Sequence, residues 1–275
     1  MSDAFQLAHA FTARWEGGLS DHPSDPGGIT NHGVSLTPEG QRLYSRAAVA
    51  FEQLRLGESE LRSDCSLRTG SISIAASEAA LHLTLLDRLD AFHRRNPGIH
   101  LRITNDSTPR AMEGLLRGQV DCAAATTPCP VRKSLQETAL VSFREILICG
   151  SDFHDLTAET QSLRDLENLP FVCMSRGTST YTFYQQLFLK HNLAFHVEME
   201  AGTMDQVLAM VQSNLGVGFY PESMAASALA AGTVFQIRLA EPIPERFVNL
   251  IEDTSRPQSV AMKAFKKMLL APEEE

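Results

Sequence analysis

The sequence predicts an α/β protein of two lobes, preceded by a long linker helix and a short irregular N-terminal segment. Three observations carry this. From about Thr69 onward, short β-type runs alternate with helical ones in two successive series. Ahead of them lies one amphipathic stretch with apolar residues at helical spacing. Ahead of that lies a segment dense in glycine and proline. With 275 residues, 43% of them hydrophobic, the chain is long enough to build sizeable cores.

The first segment, residues 1–36, is turn-rich. Gly17-Gly18, Pro23 and Asp25-Pro26-Gly27-Gly28 are loop signals. Its apolar anchors are few (Phe5, Leu7, Phe11, Trp15), so loose docking is expected. Residues 37–68 read as a linker or dimerisation helix. Thr37-Pro38 is a capped start, and Leu43, Ala47, Phe51 and Leu54 form its stripe. A stripe so narrow suits pairing with a second helix; the plain alternative is packing on its own body.

Residues 69–275 carry the alternation. Strands are expected at Ser71–Ala76, His100–Thr104, Asp121–Ala125, Glu137–Val141, Glu145–Cys149, Phe171–Met174, His196–Glu200, Val217–Tyr220, Val234–Arg238 and Phe247–Glu252. Helices are expected at Ala80–Arg95, Thr108–Arg117, Thr180–His191, Met204–Ser213, Met224–Ala231 and Pro257–Leu270. Such alternation implies parallel sheets with crossover helices. The Pro-rich segment Glu241-Pro242-Ile243-Pro244 marks a return between lobes. Lobe one is therefore expected at about 69–155 and 244–275, and lobe two at about 156–243.

In sheets of this kind ligands bind beyond the carboxyl ends of the strands. The loops there are rich in hydroxyls: Ser77-Glu78, Thr126-Thr127, Ser175 to Ser179 with Thr178 between, Gly202-Thr203, and Tyr220-Pro221. Each hydroxyl could simply cap a helix. As a set on one cleft, they point to a binding site for a small anion, with Ser77, Glu78, Thr126, Thr127, Ser175, Thr178, Ser179, Thr203 and Tyr220 as its lining.

Other chemistry is poorly represented. The net charge of -9 argues against a nucleic-acid surface on this body. Cys65, Cys122, Cys129, Cys149 and Cys173 form no CxxC pair, so reduced thiols in a cytoplasmic protein are expected. Cys122 and Cys129 flank a candidate pocket loop, which leaves a redox-sensing role beside the structural one. His82, His93, His100, His154, His191 and His196 show no paired-ligand spacing, so no metal and no cofactor are expected. No G-x-S-x-G elbow occurs, and Gly216-Val217-Gly218 reads as a tight turn. No run of 18 apolar residues exists, so no membrane partner is expected.

Several runs carry a family resemblance. They are Gly33-Val34-Ser35-Leu36-Thr37-Pro38-Glu39-Gly40, Gly70-Ser71-Ile72-Ser73-Ile74-Ala75, Phe92-His93-Arg94-Arg95-Asn96-Pro97, Leu115-Leu116-Arg117-Gly118-Gln119-Val120-Asp121 and Met210 to Gly218. In order and spacing they resemble the linker and effector-binding domain of LysR-type transcription regulators. The resemblance implies a periplasmic-binding-protein-like fold, a small-molecule effector between the lobes, and homo-dimers or tetramers. Such regulators carry a winged helix-turn-helix ahead of the linker. Asp21 to Gly33 holds two prolines and three glycines and does not read as a recognition helix. DNA binding is therefore expected only if another chain supplies that element.

The front of the chain resembles another family. Phe11 to Val34, with Trp15-Glu16-Gly17-Gly18-Leu19 and Asp25-Pro26-Gly27-Gly28-Ile29-Thr30-Asn31-His32-Gly33-Val34, is similar to the N-terminal signature of phage-type N-acetylmuramidases. That resemblance implies Glu16 as a catalytic acid, the protonated carboxyl a glycosidase needs. Trp15 stands where the family has histidine, and Leu19 where it has an aromatic. The residues after Gly33 resemble a LysR linker and not the body that builds a glycan cleft. The expectation is thus a sensor and not an enzyme, with no catalytic residue. A peptidoglycan hydrolase using Glu16 is the alternative.

Overall fold

The computed structural model describes residues 46–47, 49–55, 69–129 and 133–271. Glu16, Cys65, the muramidase-like segment and most of the expected linker lie outside the described residues. The chain clusters into two compact units, Met1–Ala50 and Phe51–Glu275. In the first, residues 46, 47, 49 and 50 are helical. The second opens on helical residues 51–55 and then builds two sheets.

In the first lobe, β1 (Gly70–Ala76), β2 (Ile99–Asn105), β3 (Cys122–Thr126), β4 (Leu135–Phe143) and β10 (Arg246–Asp253) form one sheet in the order β2-β1-β3-β10-β4. β1 shows why. Ile72 and Ile74 face Leu85, Leu89, Phe92 and Phe265 on one side. Ala75 faces Ala111, Met112, Leu115 and Ile251 on the other. This is the period of two that a sheet covered on both faces uses. Helix α1 comes in three parts: an opening turn (Glu78–Ala80), a π-helical segment (Leu81–Leu85) and an α-helical run (Leu86–Arg95). It ends with His93, Arg94 and Arg95 in its last turn, where cations complement the helix dipole. Helices α2 (Thr108–Leu116) and α6 (Val260–Leu269) complete the lobe.

The second lobe contains β5 (Glu145–Cys149), β6 (Phe171–Met174), β7 (Val197–Ala201), β8 (Val217–Pro221) and β9 (Phe235–Ile237), in the order β7-β6-β8-β5-β9. Helices α3 (Ser179–Lys190), α4 (Met204–Gln212) and α5 (Glu222–Ala230) pack on it. One face is aromatic: Tyr184 stacks on Phe219 at 4.4 Å, and Phe171 meets Phe188 edge-on at 5.3 Å. Gly216 is required by a close approach. A Cβ there would meet the carbonyl oxygen of Pro170 at 2.1 Å. The Gly-Val-Gly run thus lets β8 enter beside β6.

Two features differ from the sequence reading. The sheets are mixed, not parallel. β1 runs parallel to β2 and β3, but β10 is antiparallel to both β3 and β4. Likewise β6 is parallel to β7 and β8, while β5 is antiparallel to β8 and β9. The antiparallel strands are those on which the chain changes lobe. The first change also comes earlier than the expected boundary near residue 155. Phe143 ends β4 in one sheet and Glu145 begins β5 in the other, so Arg144 alone is the joint. Ile146, Leu147 and Ile148 are buried on both faces inside the second sheet.

Candidate functional site

The nine residues expected to line the cleft all sit at strand ends or helix starts. Apart from Ser179, their hydroxyls already have partners within the chain. Ser77 caps α1, its Oγ accepting from the Ala80 N–H at 3.3 Å. Thr203 caps α4 by accepting from Gln206 N–H at 3.3 Å. Thr178 caps α3, accepting from Tyr181 N–H at 3.2 Å and donating to the Ser175 carbonyl at 2.9 Å. Ser175 donates to the Ala201 carbonyl at 3.1 Å. Thr127 Oγ1 accepts from Phe247 N–H at 3.0 Å. Ser179 is buried at the first position of α3.

A hydroxyl has one proton to give. Ser175 and Thr178 spend theirs on carbonyls. Ser77, Thr127 and Thr203 act as acceptors in these contacts, Thr126 accepts from Arg246, and none of the four donates to an acceptor among the described residues.

Two clusters join the lobes. The first is centred on Glu78. Its carboxylate crosses from lobe one to the start of α4 in lobe two, accepting from Met204 N–H at 2.5 Å and Asp205 N–H at 3.4 Å. The buried Tyr220 holds Asp205 from behind, its hydroxyl donating to Oδ1 at 3.4 Å. Burial pushes the Glu78 carboxyl above its ordinary value. The α4 N–H groups pull it back, and the facing Asp205 adds to the rise. Burial and the two carboxylates together raise the Tyr220 phenol as well. His82 completes the group. Glu78, His82 and Asp205 each offer one ligand atom, and the three lie within 4.8 Å of one another.

The second cluster is centred on Arg246, whose side chain is 2% exposed. Its guanidinium donates to Glu145 Oε1 at 2.6 Å, to the Thr127 carbonyl at 2.8 Å, to Thr126 Oγ1 at 3.0 Å and to Thr180 Oγ1 at 3.2 Å. It lies over the rings of Phe183 and Phe143, at 4.8 and 5.4 Å from their centroids. Arg246, Thr126 and Phe143 belong to lobe one; Glu145, Thr180 and Phe183 belong to lobe two. Burial raises the Glu145 carboxyl, and Arg246 offsets part of that rise. Glu145 Oε2 is buried without a hydrogen-bond partner among the described residues.

The structure thus gathers Glu78, Thr203 and Tyr220 into one cluster and Thr126 and Thr127 into the other. The start of α3 joins the second through Thr180. Sequence reasoning missed Arg246, Glu145, Thr180, Asp205 and His82. A charged residue opening the apolar run Glu145–Cys149 was the one available signal. Histidine spacing alone does not join His82 to Glu78, one turn before it, or to Asp205 on the other lobe.

The four described cysteines are poorly placed for thiolate chemistry. Burial pushes the Cys129 and Cys173 thiols up to about 12 and Cys149 to about 11, and it raises Cys122 well above the ordinary thiol value.

The family model of the LysR substrate binding domain matches residues 66–272. A second, the Glycosyl hydrolase 108 model, matches residues 9–60. The chain is 25% identical over 262 residues to a probable RuBisCO transcriptional regulator of Chlorokybus atmophyticus, covering 92% of this chain and 80% of that protein. Its fold resembles the Synechocystis CcmR regulatory domain solved in complex with 2-PG, with TM-score 0.67 and 18% identity, covering 74% of this chain and 96% of that one. It also resembles the effector-binding domain of QuiR solved in complex with shikimate, with TM-score 0.64, 18% identity and the same two coverages. Among the described residues, no helix is long and apolar enough to cross a membrane.

Proposed function

On the premise that the chain belongs to the LysR substrate binding domain family over residues 66–272, we propose that this domain closes its two lobes on a small anionic effector. One observation carries the reading: the start of α4 already accepts a carboxylate across the seam, that of Glu78. Backbone N–H groups at a helix start favour anions. An effector carboxylate or phosphate entering there takes the place of Glu78. Ser77, Thr126, Thr127, Ser175, Thr178, Ser179, Thr203 and Tyr220 line its path. Thr203, Thr127 and Ser77 have a proton to donate; Thr178 and Ser175 shape the start of α3. On this reading the chain acts as a homo-dimer or tetramer. It is a binding module, and Glu16 serves no hydrolysis.

A thermal-shift screen against small carboxylates and aromatic acids identifies the ligand. Calorimetry on Thr203→Ala then tests the site, with Thr84→Ala inside α1 as control. Equal affinities for the two variants would reduce the hydroxyls to helix caps and remove the cleft assignment. Peptidoglycan lysis that disappears in Glu16→Gln would restore the hydrolase alternative.

A further inference from the structure

The Glu78 cluster has a second capacity. Glu78 and His82 lie one helical turn apart on α1 in lobe one, and Asp205 is the second residue of α4 in lobe two. Their ligand atoms all fall within 4.8 Å of one another. Two carboxylates brought this close repel unless a proton or a cation lies between them. Both are also oriented from behind: Glu78 by the Met204 and Asp205 N–H groups, Asp205 by the Tyr220 hydroxyl. Outer partners of this sort fix the direction in which a ligand atom presents itself. The imidazole, and the placement of the three donors on two lobes, set the group apart from the solvated acidic clusters common on protein surfaces.

We propose that Glu78, His82 and Asp205 bind a divalent transition-metal cation, Zn2+ or one of similar preference, and that the cation ties the two lobes together. One nitrogen and two carboxylate oxygens suit Zn2+, Co2+ or Mn2+, whereas Ca2+ and Mg2+ prefer an all-oxygen set. Around a tetrahedral ion with bonds of ~2.1 Å, donor atoms lie ~3.4 Å apart. The widest pair of donors, at most 4.8 Å apart, must therefore close by up to about 1.4 Å, which the exposed His82 side chain allows. Three protein donors leave a coordination position open. An oxygen of an anionic ligand fits that position, and the cation would let an acidic seam receive an anion. The site itself needs no effector, so its failure would leave the reading of the cleft under Proposed function untouched.

The test is a titration of the full chain with Zn2+ alone by calorimetry, and with Co2+ followed by absorption. One equivalent of Zn2+ is expected. His82→Ala and Asp205→Asn should each weaken it by roughly tenfold or more, the lower end of what disturbing even an outer partner costs. His93→Ala, also on α1 and exposed, should leave it unchanged. Zn2+ should raise the thermal midpoint of the wild type and not of Asp205→Asn, because only a ligand of the native state stabilises it. Near-ultraviolet circular dichroism checks that the variants fold; His82 and Asp205 are exposed, so both should. Undiminished Zn2+ affinity in both variants would overturn the proposal. So would a thiolate-to-Co2+ charge-transfer band, which would place the metal on cysteine.

Discussion

The two clusters that join the lobes are built from the same materials and differ in how they meet water. Arg246 and Glu145 have side chains 2% and 1% exposed, and the guanidinium is filled by four acceptors and two rings. Glu78 is half-buried beside an exposed Asp205 and an exposed His82. Opening the first would strand a buried charge. Opening the second would hand a carboxylate back to solvent and bare the N–H groups at the start of α4. The Arg246 cluster sits where the chain crosses between sheets, and in the lobe closure proposed above it is the pivot. The Glu78 cluster sits at the start of α4, and in that proposal it is the latch.

The largest expected effect tests the pivot. Arg246→Ala leaves Glu145 buried and unpaired, and breaking a buried pair in this way costs about 3–5 kcal/mol. Urea unfolding should show that loss. The double variant Arg246→Met with Glu145→Leu should recover most of it, since apolar residues of similar volume often replace such a pair at no cost. Arg94→Ala removes an exposed pair with Asp90 and should change little. An Arg246→Ala variant as stable as Arg94→Ala would break the distinction between pivot and latch.

Much of the fold was legible in the sequence, because it rests on short-range patterns. The stripe from Leu81 to Phe92 gave α1 within two residues at its start, and Met204–Ser213 gave α4 within one at its end. The crossing at Arg144 was not legible, since a one-residue joint between two strands leaves no turn residues. The loops beyond the strand ends were legible from the alternation of elements. Their chemistry was not, because it depends on remote partners. Glu78 and Met204 are 126 residues apart, and Arg246 and Glu145 are 101. In the sequence Arg246 closes a charged, Pro-rich run that reads as surface; only the fold buries it.

The next effect sharpens the latch. Thr203 has a hydroxyl proton to give and Thr178 has spent its own, so the two caps should separate on ligand binding. A hydrogen bond to a charged ligand contributes ~1.5–3 kcal/mol, and 1.4 kcal/mol is one decade of affinity. Thr203→Ala should therefore weaken the effector by about tenfold or more, and Thr178→Ala by less. Calorimetry measures both. Each variant should stay folded, since a lost cap costs only ~1 kcal/mol. A larger loss in Thr178→Ala would mean that α3, on the pivot side, holds the ligand.

The smallest effect is the pH response of the latch itself. Glu78 keeps its proton to higher pH in the folded chain than the ordinary 4.5. In that window the native state binds more protons than the unfolded one, so stability must fall as pH rises from the ordinary glutamate value through the raised one. The shift comes first from burial and then from Asp205, against the pull of the α4 N–H groups. Glu78→Gln keeps an acceptor for Met204 and cannot ionise. The wild type should therefore lose stability relative to Glu78→Gln across that window, and the difference should level off once Glu78 is fully ionised. The change will be small, because Glu78 is only half-buried and water screens it. Asp121 and Glu145 are raised too, but they are common to both proteins and cancel in the difference. The variant should also bind the anionic effector more tightly near neutral pH, having no carboxylate to compete at α4. Thermal midpoints of the two proteins from pH 4 to 8 decide the point. A difference that does not change with pH would mean that Glu78 is an ordinary solvated carboxylate, and the latch would then rest on the hydrogen bonds to α4 alone.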